Sequence, residues 1–540
     1  MEYFIPAWYQ NGDWKENEQV WYRARTVTEF DDTVKQIQLF FRKNVAPFKI
    51  LLLGFSPNFR HFLHRQGVYH APYWSCFDAM QGITLSDIAI FSFHDLSWPE
   101  GVEFIYSPFA VIVRRGGEKY AQIEFAEDGN MFRVDMFQSG ERTCSNVYDD
   151  RGFISCQIVY RSGVPVREQY FDADGVWKFA RYMDDGHVIV NPESSWYCVH
   201  TDGGIAQVAY RKPRYRNIDE MIAEVMAESL KTVSDADIFL IAMHPLHAEV
   251  LAKTLSRRKT VLSFFGRRLD EYGMGEGDAA LIAGADAIVA DKKATALQIQ
   301  NQSGLDAAAI RVITPYDSRQ EFGNSLHLHV QNILLAVDRI AEADFDKLVA
   351  LLADYIEHIN PRARVCLFTR ASRYNIGSQL MHRARNALRA AGMNPDLARE
   401  DEGVTESQID TQGLAEAVFS VAQCVDEMAV SRMLREQRVL VDLQDVPDQF
   451  LQISAMSVGM PQITARETDY IQNGKNGIVL QTLEDLPAAL DYYLSSVAHA
   501  NQAQIASYEL GSQFTTGQLV QSWKEVIANI EHQSTAAGPR

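Results

Sequence analysis

Three textures of apolar and polar positions follow one another along the 540-residue chain. From residue 1 to about 85 the order reads β-α-β-α. The stretch EYFIPAW predicts a strand, and TEFDDTVKQIQLFFRKN carries Val34, Ile37, Phe40 and Phe41 at helical spacing. FKILLLGF is short, continuous and apolar, the pattern of a parallel strand buried on both faces.

From 86 to 212 the period changes to two. Turn signals recur at Gly116-Gly117, Asp128-Gly129-Asn130, Ser139-Gly140, Asp150-Arg151-Gly152, Ser162-Gly163, Asp174-Gly175 and Asp185-Gly186. Between them lie KYAQIEF, MFRVDMF, FISCQIVY, REQYF and VWKFARYM, rich in aromatic and β-branched residues. Punctual turns flanking alternating runs predict an antiparallel meander. Only about half of its many aromatic rings can be buried if a single layer packs against it, so exposed rings and a binding role for the sheet are expected.

After the amphipathic IDEMIAEVMAESLKTV the parallel texture resumes with ADIFLIAM, KTVLSFF, ADAIVA and IRVITPY, separated by helical stretches. A second series follows: VQNILLAV, DFDKLVALLADYIEHI, RVCLFT, AVFSVA and RVLVDL. The expected organisation is a first Rossmann-like domain in two parts, 1–85 and 213–322, with the meander 86–212 inserted. A second Rossmann-like domain, 323–510, a C-terminal helix, 511–533, and a flexible tail, 534–540, complete it. Two such domains in series with a closing helix resemble the GT-B architecture of glycosyltransferases, whose ligands bind beyond the carboxyl ends of the strands.

Composition narrows the function classes. The formal charge is −19, from 51 basic and 70 acidic residues, which argues against nonspecific nucleic-acid binding and direct adhesion to an anionic membrane. No basic n-region precedes an apolar run at MEYFIPAWYQ, and no apolar stretch approaches the length of a bilayer span. The six cysteines lack C-x-x-C pairing, so buried free thiols in a reducing compartment are expected.

Residues 453–480, ISAMSVGMPQITARETDYIQNGKNGIVL, resemble the donor site of retaining GT-B enzymes. In those enzymes one Glu precedes the A-M-x-x-G-x-P turn and a second lies eight positions earlier. Aligned on Ala455 and Met456, with Gly459 and Pro461 in step, the two positions hold Ser454 and Val446. A hydrogen bond to a charged group of that kind contributes roughly 1.5–3 kcal/mol. The resemblance also implies a closely spaced Arg and Lys to neutralise a leaving diphosphate. The nearest candidates, Arg339 and Lys347, are separated by Glu342, Asp344 and Asp346; Arg370 and Arg373 are the substitutes.

Other motifs carry little. The glycines of YGMGEGD come with Glu276 and Asp278, which suit an ordinary loop better than a phosphate cradle. His244 and His247, like His327 and His329, lack companion ligands at metal-binding spacing. DADG at Asp172 puts its glycine too early for a calcium loop and reads as a hairpin turn. The absence of G-x-S-x-G argues against an α/β-hydrolase. No cofactor and no metal are expected.

FIPAW, Trp21, EFDDTVKQ, LLLGFSPNFRHFLHRQGV and SCFDAMQ, in that order, are joined by RVLVDLQDVPDQFLQISAMSVGMPQIT and TDYIQNGKNG near the other end. This set resembles the accessory Sec secretion proteins of Gram-positive bacteria, specifically the first of the three accessory secretory subunits called Asp. The resemblance implies an α/β, GT-B-like fold of two Rossmann-like domains with an inserted antiparallel sheet and no transferase chemistry. It implies a cytoplasmic subunit, held at the inner face of the membrane through partners and without membrane insertion. The implied partners are the second and third Asp subunits, the accessory SecA ATPase and a serine-rich repeat glycoprotein adhesin. The alternative is an active GT-B transferase with a rearranged donor site.

Candidate binding residues in the amino-terminal motifs are Trp21, Asp31, Asp32, Phe77, Asp78 and Gln81; in the second domain they are Arg370, Arg373, Ser454, Gln462 and Asn476. Asp31 and Asp32 read equally as the cap of the helix that follows, where carboxylates are favourable. Trp8, Trp14, Trp21 and Trp74 are expected to be mostly core, with one or two available to stack on a sugar.

Overall fold

Every residue of Ile238–Ala242 is buried, as an uninterrupted apolar run must be when both faces of its sheet are covered. In the computed structural model it is the middle strand of a seven-stranded parallel sheet. The order is Ile310–Val312, Ala287–Ala290, Lys259–Phe264, Ile238–Ala242, Glu2–Ile5, Phe48–Leu52 and Tyr73–Ser75. The structure describes all residues except 11, 17–19, 22–29, 202, 267, 307–308, 320, 322, 374, 400–416 and 538–540. Two units result: the described residues within Met1–Ala24, Asp31–Ile313 and Ser522–Arg540 form the first, and those within Arg25–Phe30 and Thr314–Gln521 the second.

The meander is a separate sheet of the first unit. Ten antiparallel strands run from Val102–Tyr106 to Arg214–Tyr215, each of the first nine beside its predecessor. The last strand lies beyond the expected boundary at 212, because two residues are too few to display an alternating pattern. At Ser139-Gly140 and Ser162-Gly163 both residues have positive φ (50° and 80°, 49° and 76°), so each two-residue loop is a primed turn whose twist matches the strands.

The expectation of many exposed rings on this sheet fails: among its aromatic residues Tyr106 and Phe109 are exposed, and the rest are half-buried or buried. One face is covered by the segment around Phe93 and Trp98, whose rings lie 5.4 and 5.7 Å from Phe104. On the other, Phe77 packs against Tyr170 and Phe179. Several remaining rings are covered by cations: Lys119 lies 3.8 Å from the centroid of Phe137 and Arg142 4.2 Å from that of Tyr160. The sheet therefore shields its aromatics on two faces, where the one-layer argument allowed for one.

In the second unit six parallel strands take the order Phe419–Gln423, Ala363–Thr369, Gln331–Ala336, Gln437–Asp442, Gln462–Thr464 and Gly477–Val479. The amphipathic helix Glu342–His358 buries Phe345, Leu348, Val349, Leu352 and Ile356 against this sheet at i, i+3, i+4, i+7 and i+11 spacing. The closing helix runs Thr516–Ala537, later than the expected 511–533, after a separate helix Val497–Gly511. In the first unit its Trp523 is buried edge-on to Phe40, at 5.9 Å.

Candidate functional site

In each unit an arginine follows a parallel strand, at the end where open α/β sheets bind ligands, and in each it is paired with carboxylates. In the first unit Arg268 comes shortly after Lys259–Phe264. Its Nη2 donates to Asp31 and, at 2.8 Å, to Asp32. Asp31 is the N-cap of the helix Asp32–Lys43: its Oδ1 accepts from the Thr33 amide and from Trp8 Nε1, both at 2.9 Å. Asp32 Oδ2 accepts from Ser263 Oγ at 2.9 Å, and Gln36 Nε2 donates to the same hydroxyl at 3.1 Å.

Burial pushes the Asp31 carboxyl up to about 6 against the pull of Arg268, with the neighbouring Asp32 charge pushing the same way. Capping and ion pairing are thus both realised, and Asp31 and Asp32 meet on Arg268 through contacts spanning more than two hundred residues. Among the described residues Arg268 Nη1 finds no hydrogen-bond partner, and it is buried beside a cavity of about 10 Å³, room for a single water, lined also by Met243, His244, Phe264 and Met274.

His244 and His247 belong to the same neighbourhood and are core residues. His244 Nδ1 caps the helix Pro245–Thr254, and His247 Nδ1 bonds Tyr9 Oη at 2.9 Å. Burial drives His244 down to about 4, and His247 lower than an ordinary imidazole, so both are neutral at physiological pH. Among the described residues one group has metal-ligand spacing: Asp184, Asp185 and His187, in an exposed hairpin turn.

Phe77, Asp78 and Gln81 come together elsewhere, beneath the antiparallel sheet. Asp78 accepts two hydrogen bonds from Arg151, at 2.7 and 3.0 Å, and Arg151 also bonds Asp149. Arg60 holds the adjoining Asp150 and reaches Asp149 at 3.3 Å. Gln81 Nε2 donates to the carbonyls of Ser155 and Phe171. The FDAMQ motif thus fastens the inserted sheet to the parallel layer. Trp21 stands apart from both groups, exposed and stacked on Phe109 with ring centroids 6.1 Å apart. Trp8, Trp14 and Trp74 are buried.

In the second unit Arg370 directly follows Ala363–Thr369. Its Nη2 lies 2.6 Å from Asp448 Oδ2, and its guanidinium carbon is 4.5 Å from the centroid of Phe30. Asp448 caps the helix Gln449–Ser457 through the Leu451 amide and donates its own amide to Asp442 Oδ2 at 2.8 Å. Asp442 is fully buried and also accepts from Gln444 and Gln452; burial pushes its carboxyl up to about 6. The site is therefore acidic, with one arginine already paired.

Gln462 and Asn476 are buried in the supports of this region. Gln462 Nε2 donates to the Gln452 carbonyl at 3.0 Å, while Asn476 bonds the Tyr470 carbonyl and the Gln472 amide. Ser454 is half-buried, as is Val446, and Arg373 is exposed. Lys347 pairs with Glu484, and the Arg339 amide bonds Gln444. Sequence reasoning passed over Arg268, Phe30, Asp448 and Asp442. A usable signal for the first was Arg267-Arg268, basic residues directly behind a buried strand.

A family model for the first Asp protein of the accessory Sec system matches residues 1–530. The Streptococcus gordonii member of that family is 28% identical over 537 residues, covering 97% of this chain and 98% of that protein. Among solved structures, accessory secretory proteins 1, 2 and 3 of Streptococcus pneumoniae include a chain at 26% identity and TM-score 0.78, with 99% of this chain and 100% of that one covered. The pneumococcal O-GlcNAc transferase GtfA, solved with UDP and GlcNAc, shares the fold at 12% identity and TM-score 0.65, with 98% and 99% covered. The fold is accordingly GT-B-like, α/β with an inserted antiparallel sheet. The chain belongs to the family of the first Asp protein of the accessory Sec system.

Proposed function

We propose that this chain is a glycosyltransferase-like subunit without transferase activity, serving the accessory Sec export of serine-rich repeat glycoproteins. It assembles with the second and third Asp subunits, acts with the accessory SecA ATPase, and resides on the cytoplasmic side of the membrane, held there through partners. Assembly is supported by the pneumococcal relative, solved as accessory secretory proteins 1, 2 and 3. Among the described residues no helix is long and apolar enough to cross a membrane.

The observation that carries the non-catalytic reading is the pairing of Arg370 with Asp448. Transfer from a nucleotide sugar requires a cation free to stabilise the departing diphosphate. Here the arginine placed at the strand end is neutralised, Asp442 and Asp338 lie close to it through Asp448 and through the Arg370 amide, and Lys347 is bonded to Glu484. The resemblance of residues 453–480 to retaining GT-B donor sites, which puts Ser454 and Val446 at the two carboxylate positions, supports the same reading.

Two measurements test this reading together. Mixed with the second and third subunits and passed over a sizing column, the purified chain is expected to elute with them as one species. Incubated alone with a labelled nucleotide sugar and a serine-rich peptide, it is expected to leave the peptide unlabelled. Labelling that disappears in Arg370→Ala would make the chain an active transferase with a rearranged donor site.

A further inference from the structure

We infer that Phe30 is a plug, held over Arg370 to keep anions out of the carboxyl-end crevice of the second unit. Phe30 is only 6% exposed, although it belongs to neither a strand nor an α-helix. Its ring meets Phe450 at 4.7 Å between centroids, and its carbonyl accepts a hydrogen bond from Tyr316. Tyr316 in turn packs edge-on to Phe450, at 5.2 Å and 70°. Phe30, Phe450 and Tyr316 therefore form an aromatic cluster with the Arg370 guanidinium against the face of Phe30.

The chemistry of this arrangement is specific. A guanidinium recognises a phosphate or diphosphate through N–H groups presented in its plane, and it requires an open approach for a hydrated anion. Asp448 takes the Nη2 side of the fork, and the ring of Phe30 covers a face with a surface that attracts cations and repels anions. An anion approaching at Nη2 or across that face would have to displace the carboxylate or the ring, which together leave the side chain 23% exposed. The next two residues of the chain do the corresponding work in the first unit, where Asp31 and Asp32 occupy Arg268. Three consecutive side chains thus occupy two arginines that stand at strand ends.

The inference rests on the reading of the second crevice as closed, but its test needs neither partner subunits nor transfer. Phenylglyoxal labelling of arginines, read residue by residue by mass spectrometry, measures access to each guanidinium in the full chain. In the unaltered protein Arg370 is expected to react about tenfold more slowly than exposed Arg373, since its side chain is three-quarters buried and its fork is already paired with Asp448. Phe30→Ala should raise labelling at Arg370 several-fold while Arg60 and Arg151, buried beneath the antiparallel sheet, stay protected. Where the alanine variant also exposes those two, Phe30→Leu, which keeps apolar bulk and removes the aromatic face, is the variant to read.

In the Phe30→Ala, Asp448→Asn double variant, inorganic pyrophosphate should slow labelling at Arg370 again, with no such effect on the unaltered protein. Arg370 reacting as fast as Arg373 without any substitution would overturn the plug. So would continued protection of Arg370 in a folded Phe30 variant. Failure of pyrophosphate to protect the double variant would overturn the exclusion of anions. Transfer activity could be absent in all of these cases, so a failed plug and a failed non-catalytic reading are told apart.

Discussion

The indole of Trp196 lies where Gly82 would carry a Cβ: the nearest ring carbon is 2.7 Å from that position. Gly82 closes the FDAMQ helix with φ at +71°, and the same indole takes Lys178, whose Nζ is 3.3 Å from a Trp196 ring centroid. The close approach ties the helix beneath the antiparallel sheet to the hairpin Trp196–Ala209. Gly82→Ala is expected to cost about 2–4 kcal/mol, from the left-handed backbone and the forced shift of a packed ring. Equilibrium unfolding in urea reads the loss as a lower midpoint at unchanged slope.

A second expectation concerns the ion pairs that hold the sheet. Replacing Arg151 by Met leaves Asp149 buried with reduced compensation and Asp78 without its main partner. Breaking one partner of a buried pair costs about 3–5 kcal/mol. Hydrogen exchange should report the loss first in the strands Glu141–Tyr148 and Ile154–Arg161, which flank the loop carrying Arg151. Exchange that accelerates uniformly across the first unit would mean that the network does not act on the sheet locally.

Asp442 supplies a pH dependence with a definite sign. Burial places its carboxyl at about 6 in the folded chain, against 3.8 as the ordinary value. A carboxyl that titrates higher when folded holds its proton preferentially in the native state. Its favourable contribution is complete below about pH 4 and is lost as the pH rises through about 6. The stability of the unaltered protein minus that of Asp442→Asn should therefore fall by as much as ~3 kcal/mol between those limits. Urea midpoints measured for both proteins at matched pH values check it; a difference that grows with pH would assign the shift to another group.

Adding a carboxylate alone should not create a transferase. Ser454→Glu places one at the position proposed to have lost it, but Arg370 remains bonded to Asp448 with the Phe30 ring against one face. The variant is expected to give no more labelled product than the unaltered chain with a nucleotide sugar and a serine-rich peptide. Measurable transfer by this single substitution would show that the arginine was not the obstacle.

Local pattern was enough for the longer strands and the turns between them. Ile238–Ala242 and Ala363–Thr369 are legible because a run of apolar residues is a property of neighbours, and Ser139-Gly140 because a primed turn is set by two residues. Asp31 could likewise be read as a cap from the helix behind it. What those same side chains do beyond their own element was decided only in three dimensions. Arg268 meets Asp32 across 236 positions, Gln81 reaches Phe171 across 90, and Phe30 finds Arg370 and Phe450 in a different part of the chain. Periodicity also could not say that the antiparallel sheet would be covered on both faces. Hydrophobic pattern records which side of an element turns from water. The partner it meets, and whether that partner neutralises a charge or leaves it free, depends on the folding together of segments whose separation leaves no mark in the sequence of either.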